Sequence, residues 1–283
     1  MFDLLPLDGD GRSCYPKDTD SRWESAEVLV VVKAAPQPSA AYGDTVCVAG
    51  IRMRESGPEW IRLYPIPFRS MEEYLQFTKY DLIRLQVKPA SKDPRSESYI
   101  PDRSTIETVA HLDPWKPRHR YVSPLSSQWT MCGVLKAQRA GKDFPSLAVI
   151  RPREVRDFKL TLHPGWTLEQ AQKLKVNLGQ EDLFGDAPKV QLLEAPRFEG
   201  KYSYFCEDKT CKGHVQGLLD WELVALERRL KDRDDVTAMS EIRKKFFTEM
   251  CSADHRPLFF VGNQLKHPLA FSVIGVYRSQ SQN

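Results

Sequence analysis

Two cysteines and a histidine with metal-ligand spacing lie in the nine-residue stretch CEDKTCKGH. Four residues separate Cys206 from Cys211, and two separate Cys211 from His214. Thiolates and imidazoles are the donors that zinc prefers, and a structural zinc site takes four of them. The stretch therefore predicts a zinc knuckle, with Zn²⁺ held by Cys206, Cys211, His214 and one ligand from elsewhere in the chain.

The fourth ligand is expected downstream of the knuckle. Cys251 and His255 lie four residues apart at the end of a predicted helix, where both can face the same side. We take His255 as the predicted ligand, with Cys251 and His267 as alternatives. Cys47 and Cys132 lie among apolar residues, and we expect both of them in the core.

The same residues also permit a catalytic interpretation. Cys206 or Cys211 would be a thiolate nucleophile, His214 its base, and Asp220 or Glu222 the orienting carboxylate. This arrangement requires the start of the following helix to fold back over the knuckle. An iron–sulfur site is disfavoured, because a histidine takes the third place and no fourth cysteine lies nearby.

Arginine alternates with aromatic residues along a second stretch, EWIRLYPI. Successive side chains of a strand point to opposite faces, so Trp60, Arg62 and Tyr64 are expected to share one face. Arginine pairs with phosphate and rings stack on unpaired bases, which is typical of a surface that binds single-stranded nucleic acid. The predicted nucleic-acid-binding residues are Arg52, Arg54, Trp60, Arg62, Tyr64, Arg69 and Arg84. Alternatively, these arginines are solvated and the rings close the end of a barrel.

The strands that would carry these residues are short and rich in β-branched side chains. They are predicted at residues 26–34, 44–53, 59–66 and 80–89. Pro, Gly and Ser separate them, a spacing typical of a small barrel or sandwich rather than a doubly wound sheet. A capping box of Ser70 and Glu73 predicts a short helix over SMEEYLQF. We predict a small β-barrel, OB- or PUA-like in view of the family resemblance given below.

The rest of the chain is predicted to contain both helices and strands. Helices are predicted at 124–138, 166–178, 217–231 and 240–250, and strands at 146–152, 154–162, 201–206, 257–263 and 270–278. The predicted organisation is a flexible tail over 1–25, a barrel domain over 26–163, a helix and linker over 164–189, and the α+β module with the Cys/Cys/His cluster over 190–283.

Composition limits the class of protein. The 283 residues are 41% hydrophobic, which is enough for a globular core, and 41 Lys and Arg nearly balance 38 Asp and Glu. Any affinity for anions must therefore come from local arrangement. The sequence shows neither a secretory signal nor a membrane-spanning apolar run, so we expect a cytoplasmic protein in which the six cysteines are not a disulfide framework.

The strings TVCVAGIR, EWIRLYPI and YDLIRLQVKP resemble the bacterial dual-OB-fold family, whose members carry a Cys-Val-Ala-Gly strand followed by a Trp-Ile-Arg strand. The resemblance covers residues 44–100, about a fifth of the chain. LYPIPFR departs from the family's valine-rich continuation, and residues 190–283 match nothing in the family. The resemblance implies OB-like barrels that recognise nucleic acids or nucleotides, often in bacterial conflict systems.

Together these patterns predict a nucleic-acid-binding protein with a structural zinc ion, and the resemblance implies a role in bacterial defence. The alternative is an enzyme that acts on nucleotides or nucleic-acid bases, with Cys206, Cys211, His214 and Glu222 in a cleft between the modules. The sequence contains no phosphate-binding P-loop, dinucleotide-binding glycine turn, His-Glu-x-x-His pair or nucleophile elbow. This argues against the familiar NTPases, dehydrogenases, metalloproteases and hydrolases.

Overall fold

A computed structural model of the chain describes residues 22–36, 38, 46–66, 76–114, 116–142, 144–181, 193–265 and 267–278. Within these residues the fold comprises a closed five-stranded barrel, two three-stranded sheets and five α-helices. The predicted α+β class is therefore confirmed.

The barrel contains the four predicted strands and a fifth that the sequence analysis missed. Its strands are β1 (Glu24–Lys33), β2 (Val46–Arg54), β3 (Gly57–Ile66), β4 (Asp81–Pro89) and β5 (Ser98–His111). They close in the order β1-β2-β3-β5-β4, and every neighbouring pair is antiparallel except β3 with β5. Alternation along the strands buries Val28, Ile61, Leu63 and Ile83 inside the barrel.

Strand β1 is buried on both of its faces. Val28 belongs to the barrel interior, whereas Leu29 belongs to an apolar cluster on the outside that also contains Phe260. Gly50 on β2 permits the close approach of the two strands, because a Cβ atom there would lie 2.8 Å from the carbonyl oxygen of Leu29. The barrel thus has an inner core and a covered outer face.

The outer face is covered by a sheet from the second half of the chain. The remaining strands are β6 (Leu147–Ile150), β7 (Pro152–Leu162), β8 (Phe198–Cys206), β9 (His214–Gly217), β10 (Leu258–Gln264) and β11 (His267–Tyr277). They form two sheets with the orders β11-β10-β6 and β7-β8-β9. The barrel domain was predicted to reach residue 163, but β6 pairs with β10 and β7 with β8. Strand periodicity says which face is buried, not which sheet a strand joins.

The helices are α1 (Lys116–Val122), α2 (Met131–Arg139), α3 (Leu168–Glu181), α4 (Trp221–Arg229) and α5 (Asp235–Arg243). Four of the five helices overlap predicted helices, although their bounds differ, and α1 was not predicted. The helix predicted over 124–138 begins only after Thr130, which is its N-cap. The helix predicted over 217–231 begins after its N-cap Asp220, because Gly217 ends β9 and Leu218 and Asp220 form isolated β-bridges. Helix α5 continues as a π-helical turn over Lys244–Glu249.

Parts of the predicted organisation lie outside the described residues. These are most of the tail over 1–25, the helix over SMEEYLQF except its last two residues, and most of the linker that follows α3. Among the helices that the structure describes, none combines the length and the apolar character needed to cross a membrane.

Candidate functional site

Three cysteines and one histidine converge in the second half of the chain. The sulfur atoms of Cys132, Cys206 and Cys211 and a ring nitrogen of His214 all lie within 4.8 Å of one another. Nε2 of His214 lies 3.3 Å from the sulfur of Cys211 and 3.4 Å from that of Cys132. This Cys3His cluster could hold a metal ion.

The knuckle supplies three of these ligands from one hairpin. Cys206 is the last residue of β8. The alternation of side chains along the strand points it into the core, where it is fully buried. The N–H of Cys211 donates to the carbonyl oxygen of Asp208 at 3.1 Å, which closes a turn after the strand. Gly213 has φ +104°, a left-handed backbone that favours glycine, and His214 then begins β9. The turn thus places the His214 ring close to the thiols of Cys206 and Cys211.

Cys132 is the member of the cluster that the sequence analysis missed. It is the second residue of α2, whose N-terminus is capped by the Thr130 hydroxyl, which accepts the N–H of Gly133 at 3.0 Å. Its apolar neighbours predicted a core cysteine, and no second donor lies beside it in the sequence. Only the packing of α2 against the knuckle makes it a ligand, so local spacing carried no signal for it.

His255, the predicted fourth ligand, does not lie in the cluster, whose fourth member is Cys132. Nδ1 of His255 contacts the hydroxyl of Ser252, one residue before a 3₁₀ turn. Of the two alternatives, Cys251 donates its thiol hydrogen to the carbonyl oxygen of Phe246 at 3.4 Å, and His267 is exposed at the start of β11. A four-residue spacing places two side chains on one helix face but does not specify what that face contacts.

Burial and hydrogen bonds give the ligands different proton affinities. Burial raises the pKa of Cys132 to about 12, and its bonds to the neighbouring cysteines act in the same direction. Burial also disfavours the thiolate of Cys211, but the N–H of Gly213, which donates to its sulfur at 3.4 Å, helps to lower its pKa. Burial lowers the pKa of His214 and so favours the neutral imidazole that binds a metal.

Glu222, the predicted catalytic carboxylate, is oriented towards a lysine. Its Oε2 lies 3.6 Å from Nζ of Lys79. Asp220, which is 2% exposed, caps α4 by accepting the N–H of Glu222 at 3.0 Å and lies 3.7 Å from the same Nζ. The His214 ring instead contacts the sulfurs of Cys132 and Cys211 and the ring of Tyr204. The geometry therefore does not assemble the predicted catalytic set.

Two of the predicted nucleic-acid-binding arginines lie at one end of the barrel. Arg52, which is 6% exposed, lies 2.6 Å from Glu24 and 2.5 Å from Glu59, and it donates to the hydroxyl of Tyr99 at 2.7 Å. Arg54 lies 2.8 Å and 3.0 Å from the same two carboxylates, with 39% of its side chain exposed. The four charges form one interleaved network.

Arg62 and Trp60 face the second half of the protein rather than open solvent. Arg62 is 6% exposed, with Nη2 3.0 Å from the hydroxyl of Ser146 and 4.0 Å from the carboxylate of Glu97. Trp60 is half-buried and packs edge-on against Phe260, with ring centroids 5.8 Å apart. The prediction that Arg62 belongs to an exposed binding face is corrected, because residues outside the barrel cover this side of β3.

The remaining predicted residues give no continuous basic surface. Arg84 is half exposed and lies 3.3 Å from Glu27 and 3.7 Å from Glu107. Tyr64 is half-buried, and Arg69 lies outside the described residues. Each described arginine of the predicted face therefore has a carboxylate within 4.0 Å. Neighbouring strands and loops supply these acids, which period-two patterns in a single strand do not reveal.

Two family models match the two halves of the chain. Residues 127–283 match the family described as a domain of unknown function, DUF8757. The chain belongs to this family. The matched region contains the whole Cys3His cluster and both three-stranded sheets. Residues 17–124 match a second domain of unknown function, DUF8758, and contain all five barrel strands. No curated protein matches the chain.

Proposed function

We propose that the protein binds single-stranded nucleic acid in a groove at the end of an OB-type barrel. The OB fold is a five-stranded Greek-key barrel that binds oligonucleotides, and a closed barrel of five strands agrees with it. The groove is a cavity of about 460 Å³ whose lining includes Arg52, Arg54, Trp60 and Tyr99. This cavity carries the proposal, because it gathers three of the predicted binding residues beside one open space.

The charges of the groove favour contacts with bases over neutralisation of phosphates. Glu24 and Glu59 balance the charges of Arg52 and Arg54. The partly exposed guanidinium of Arg54 and carboxylate of Glu59 offer hydrogen-bond donors and acceptors to the edges of unpaired bases. The half-buried ring of Trp60 offers a stacking surface, worth ~1–3 kcal/mol per base. We therefore expect binding with a weak dependence on salt.

We further propose that the ion of the Cys3His cluster is a structural Zn²⁺. Tetrahedral zinc, bound about 2.3 Å from sulfur and about 2.0 Å from nitrogen, separates these ligand atoms by about 3.5 Å. The nitrogen of His214 lies 3.3 Å and 3.4 Å from two of the sulfurs, which fits this edge of a tetrahedron. Four protein ligands close the coordination sphere, as in structural rather than catalytic zinc sites. This supports the binding function over the enzyme alternative.

Fluorescence polarisation with labelled single strands tests the groove. Trp60→Ala removes the stacking ring and is expected to weaken binding by about 5-fold to 100-fold. Arg54→Ala removes donors to base edges and is expected to weaken binding by about 5-fold. Arg84→Ala is the matched control, because it removes an exposed barrel arginine that does not line the groove.

Thermal melting of each variant shows whether it is folded, since Trp60 also packs against Phe260. Equal affinities for the wild type, Trp60→Ala and Arg54→Ala would contradict the groove proposal. A salt series gives a second criterion. A steep decrease of affinity with salt, typical of many phosphate contacts, would also argue against a groove whose arginines are already paired.

A further inference from the structure

A second cavity lies between the barrel, α1 and α4, and it shares no lining residue with the groove. It encloses about 390 Å³, a volume within the range of small-molecule sites. The residues of its wall that carry the argument are Lys79, Tyr80, Arg118, Arg229 and Tyr277. They come from both family-matched regions, so the cavity exists only when the two halves are packed together.

Buried polar groups line the inner part of this cavity. Lys79 is 8% exposed, and its Nζ lies within 3.7 Å of the carboxylates of both Asp220 and Glu222. Burial opposes the charge of Lys79, but these carboxylates outweigh it and raise the pKa of the ammonium group. The hydroxyl of Tyr277, a residue that is 2% exposed, has no hydrogen-bond partner among the residues that the structure describes. A buried hydroxyl without a partner is unfavourable unless a ligand bonds to it.

Two tyrosine rings form an aromatic wall. Tyr80 has φ +73°, a left-handed backbone that a bulky residue rarely adopts and that concentrates at functional sites. The guanidinium carbon of Arg118 lies 3.8 Å from the centroid of the Tyr80 ring. The ring of Tyr277 is edge-on to that of Tyr80, with centroids 6.3 Å apart. The left-handed backbone of Tyr80 therefore places its ring at the cavity, and the Arg118 guanidinium lies over that ring.

The cavity has an excess of positive charge. Five cationic side chains and one acidic side chain line it. Two further acids offset part of this charge, Asp220 beside Lys79 and Glu249 at 3.4 Å from Lys245. Arg229 is exposed and forms no ion pair with any residue in the described part of the chain. Cations beside an aromatic wall suit a ligand that has both an anionic group and a planar ring.

We propose that this cavity binds the phosphate monoester of a nucleotide. Arg118 and Arg229 hold the phosphate, the nucleoside lies against Tyr80 and Tyr277, and the Tyr277 hydroxyl donates to the ligand. A phosphate monoester on a nucleoside occurs both in a free mononucleotide and at the phosphorylated 5′ end of an oligonucleotide. The chemistry of the site is the same for both sources, and the test separates them.

Isothermal titration calorimetry of the full chain with four probes tests this proposal. The probes are AMP, a 5′-phosphorylated tetranucleotide, adenosine and inorganic phosphate. We expect AMP or the tetranucleotide to bind about 10-fold or more tightly than adenosine or inorganic phosphate, because charged hydrogen bonds and ring contacts both contribute. Binding of AMP assigns a free nucleotide, and binding of the tetranucleotide alone assigns a 5′ end. Absence of binding by both, or equal binding by adenosine, overturns the proposal.

Two variants locate the binding. Arg229→Ala is expected to weaken binding by about 10-fold. Tyr277→Phe is expected to weaken it by about 2-fold to 10-fold while the melting temperature stays equal or rises, because the variant removes only an unpaired hydroxyl. A purely structural Tyr277 would leave binding unchanged, which counts against the proposal, as does unchanged binding by Arg229→Ala. The control Arg54→Ala alters the groove and should bind AMP normally. The proposals for this cavity and for the groove can therefore be contradicted independently.

Discussion

The Cys3His cluster and the barrel groove both concentrate polar groups at low exposure, but they satisfy them differently. In the cluster, three thiols and an imidazole lie within 4.8 Å, and all four are groups that donate an electron pair to a metal. In the groove, the buried Arg52 already has two carboxylates and the Tyr99 hydroxyl as partners. Four electron-pair donors close together have no partner for their lone pairs until a metal ion binds, whereas arginines and carboxylates in one network satisfy each other.

The largest effect is expected from Cys132→Ser. Structural zinc contributes its binding free energy to folding, about 10–16 kcal/mol in zinc-finger peptides, and loss of one thiolate should release most of that contribution. We expect loss of stoichiometric zinc and a decrease in melting temperature of about 10 °C or more. Elemental analysis and thermal melting, each with and without a chelator, measure these changes.

Cys251→Ser is the matched control for this experiment. It alters a partly buried cysteine that donates to a backbone carbonyl, and serine retains that donor. His255→Ala tests the ligand that the sequence predicted, and we expect it to retain zinc. Loss of zinc from His255→Ala with full retention in Cys132→Ser would reverse our assignment of the fourth ligand.

Arg62→Met should have the next largest effect and tests the barrel side of the comparison. It leaves the carboxylate of Glu97, a residue that is 9% exposed, without its nearest guanidinium at 4.0 Å. Breaking a buried pair from one side is costly, and we expect a loss of about 2–4 kcal/mol in the free energy of unfolding. Urea denaturation measures it.

The double variant Arg62→Met/Glu97→Gln removes both charges and should recover at least half of this loss. A single variant as stable as the wild type would contradict the inference that the buried Arg62–Glu97 pair depends on both of its charges.

Glu227 sharpens the comparison, because it is a buried carboxylate that accepts hydrogen bonds from two backbone N–H groups. It is 4% exposed and accepts N–H bonds from Arg197 at 3.1 Å and Phe198 at 3.3 Å. Burial raises its pKa from 4.5 to about 7. Between these values the folded protein keeps a proton that the unfolded chain has lost, so this residue lowers stability as the pH rises from about 4.5 to 7.

Glu227→Gln should remove that contribution. We expect the stability of the variant relative to the wild type to improve by on the order of 2 kcal/mol between pH 5 and pH 8. Urea denaturation across this range measures the difference, and Glu241→Gln, at an exposed position of α5, provides the control. A wild-type-to-variant difference that is independent of pH would show that Glu227 is ionised in both states.

The smallest effect is expected from Arg84→Ala. Its two acidic partners lie at 3.3 Å and 3.7 Å, but all three side chains are about half exposed. Exposed ion pairs contribute ~0–1 kcal/mol, so the variant should lose less than ~0.5 kcal/mol. Urea denaturation beside Arg62→Met gives the comparison directly. A loss as large as that of Arg62→Met would mean that exposure does not separate the two arginines.

The sequence predicted those features that are local in the chain. The first four barrel strands were found because each is a short apolar run, continuous in β1 and alternating in β4. Strand β5 (Ser98–His111) was missed because its second half is mostly polar and exposed, which leaves no apolar pattern. Three members of the Cys3His cluster were found because one hairpin carries them all.

Features that depend on tertiary contact were not predictable in this way. Cys132 becomes a ligand only because α2 packs against the knuckle. The arginines of the predicted face acquired acidic partners from other strands and loops, such as Glu24 for Arg52 and Glu97 for Arg62. A count of basic and aromatic residues in one strand contains no information about such neighbours, and burial then decides whether a charge can meet a ligand.

The double burial of β1 has a consequence for synthesis on the ribosome. The barrel strands end at His111, but the apolar residues that cover Leu29 and Ile51 from outside include Phe260 and Ile274, near the other end of the chain. At ~5–20 residues per second, a ribosome needs roughly 8–30 s to make the intervening chain. Throughout that interval the nascent barrel presents an apolar surface, which is the kind of surface that chaperones bind and that leads to aggregation.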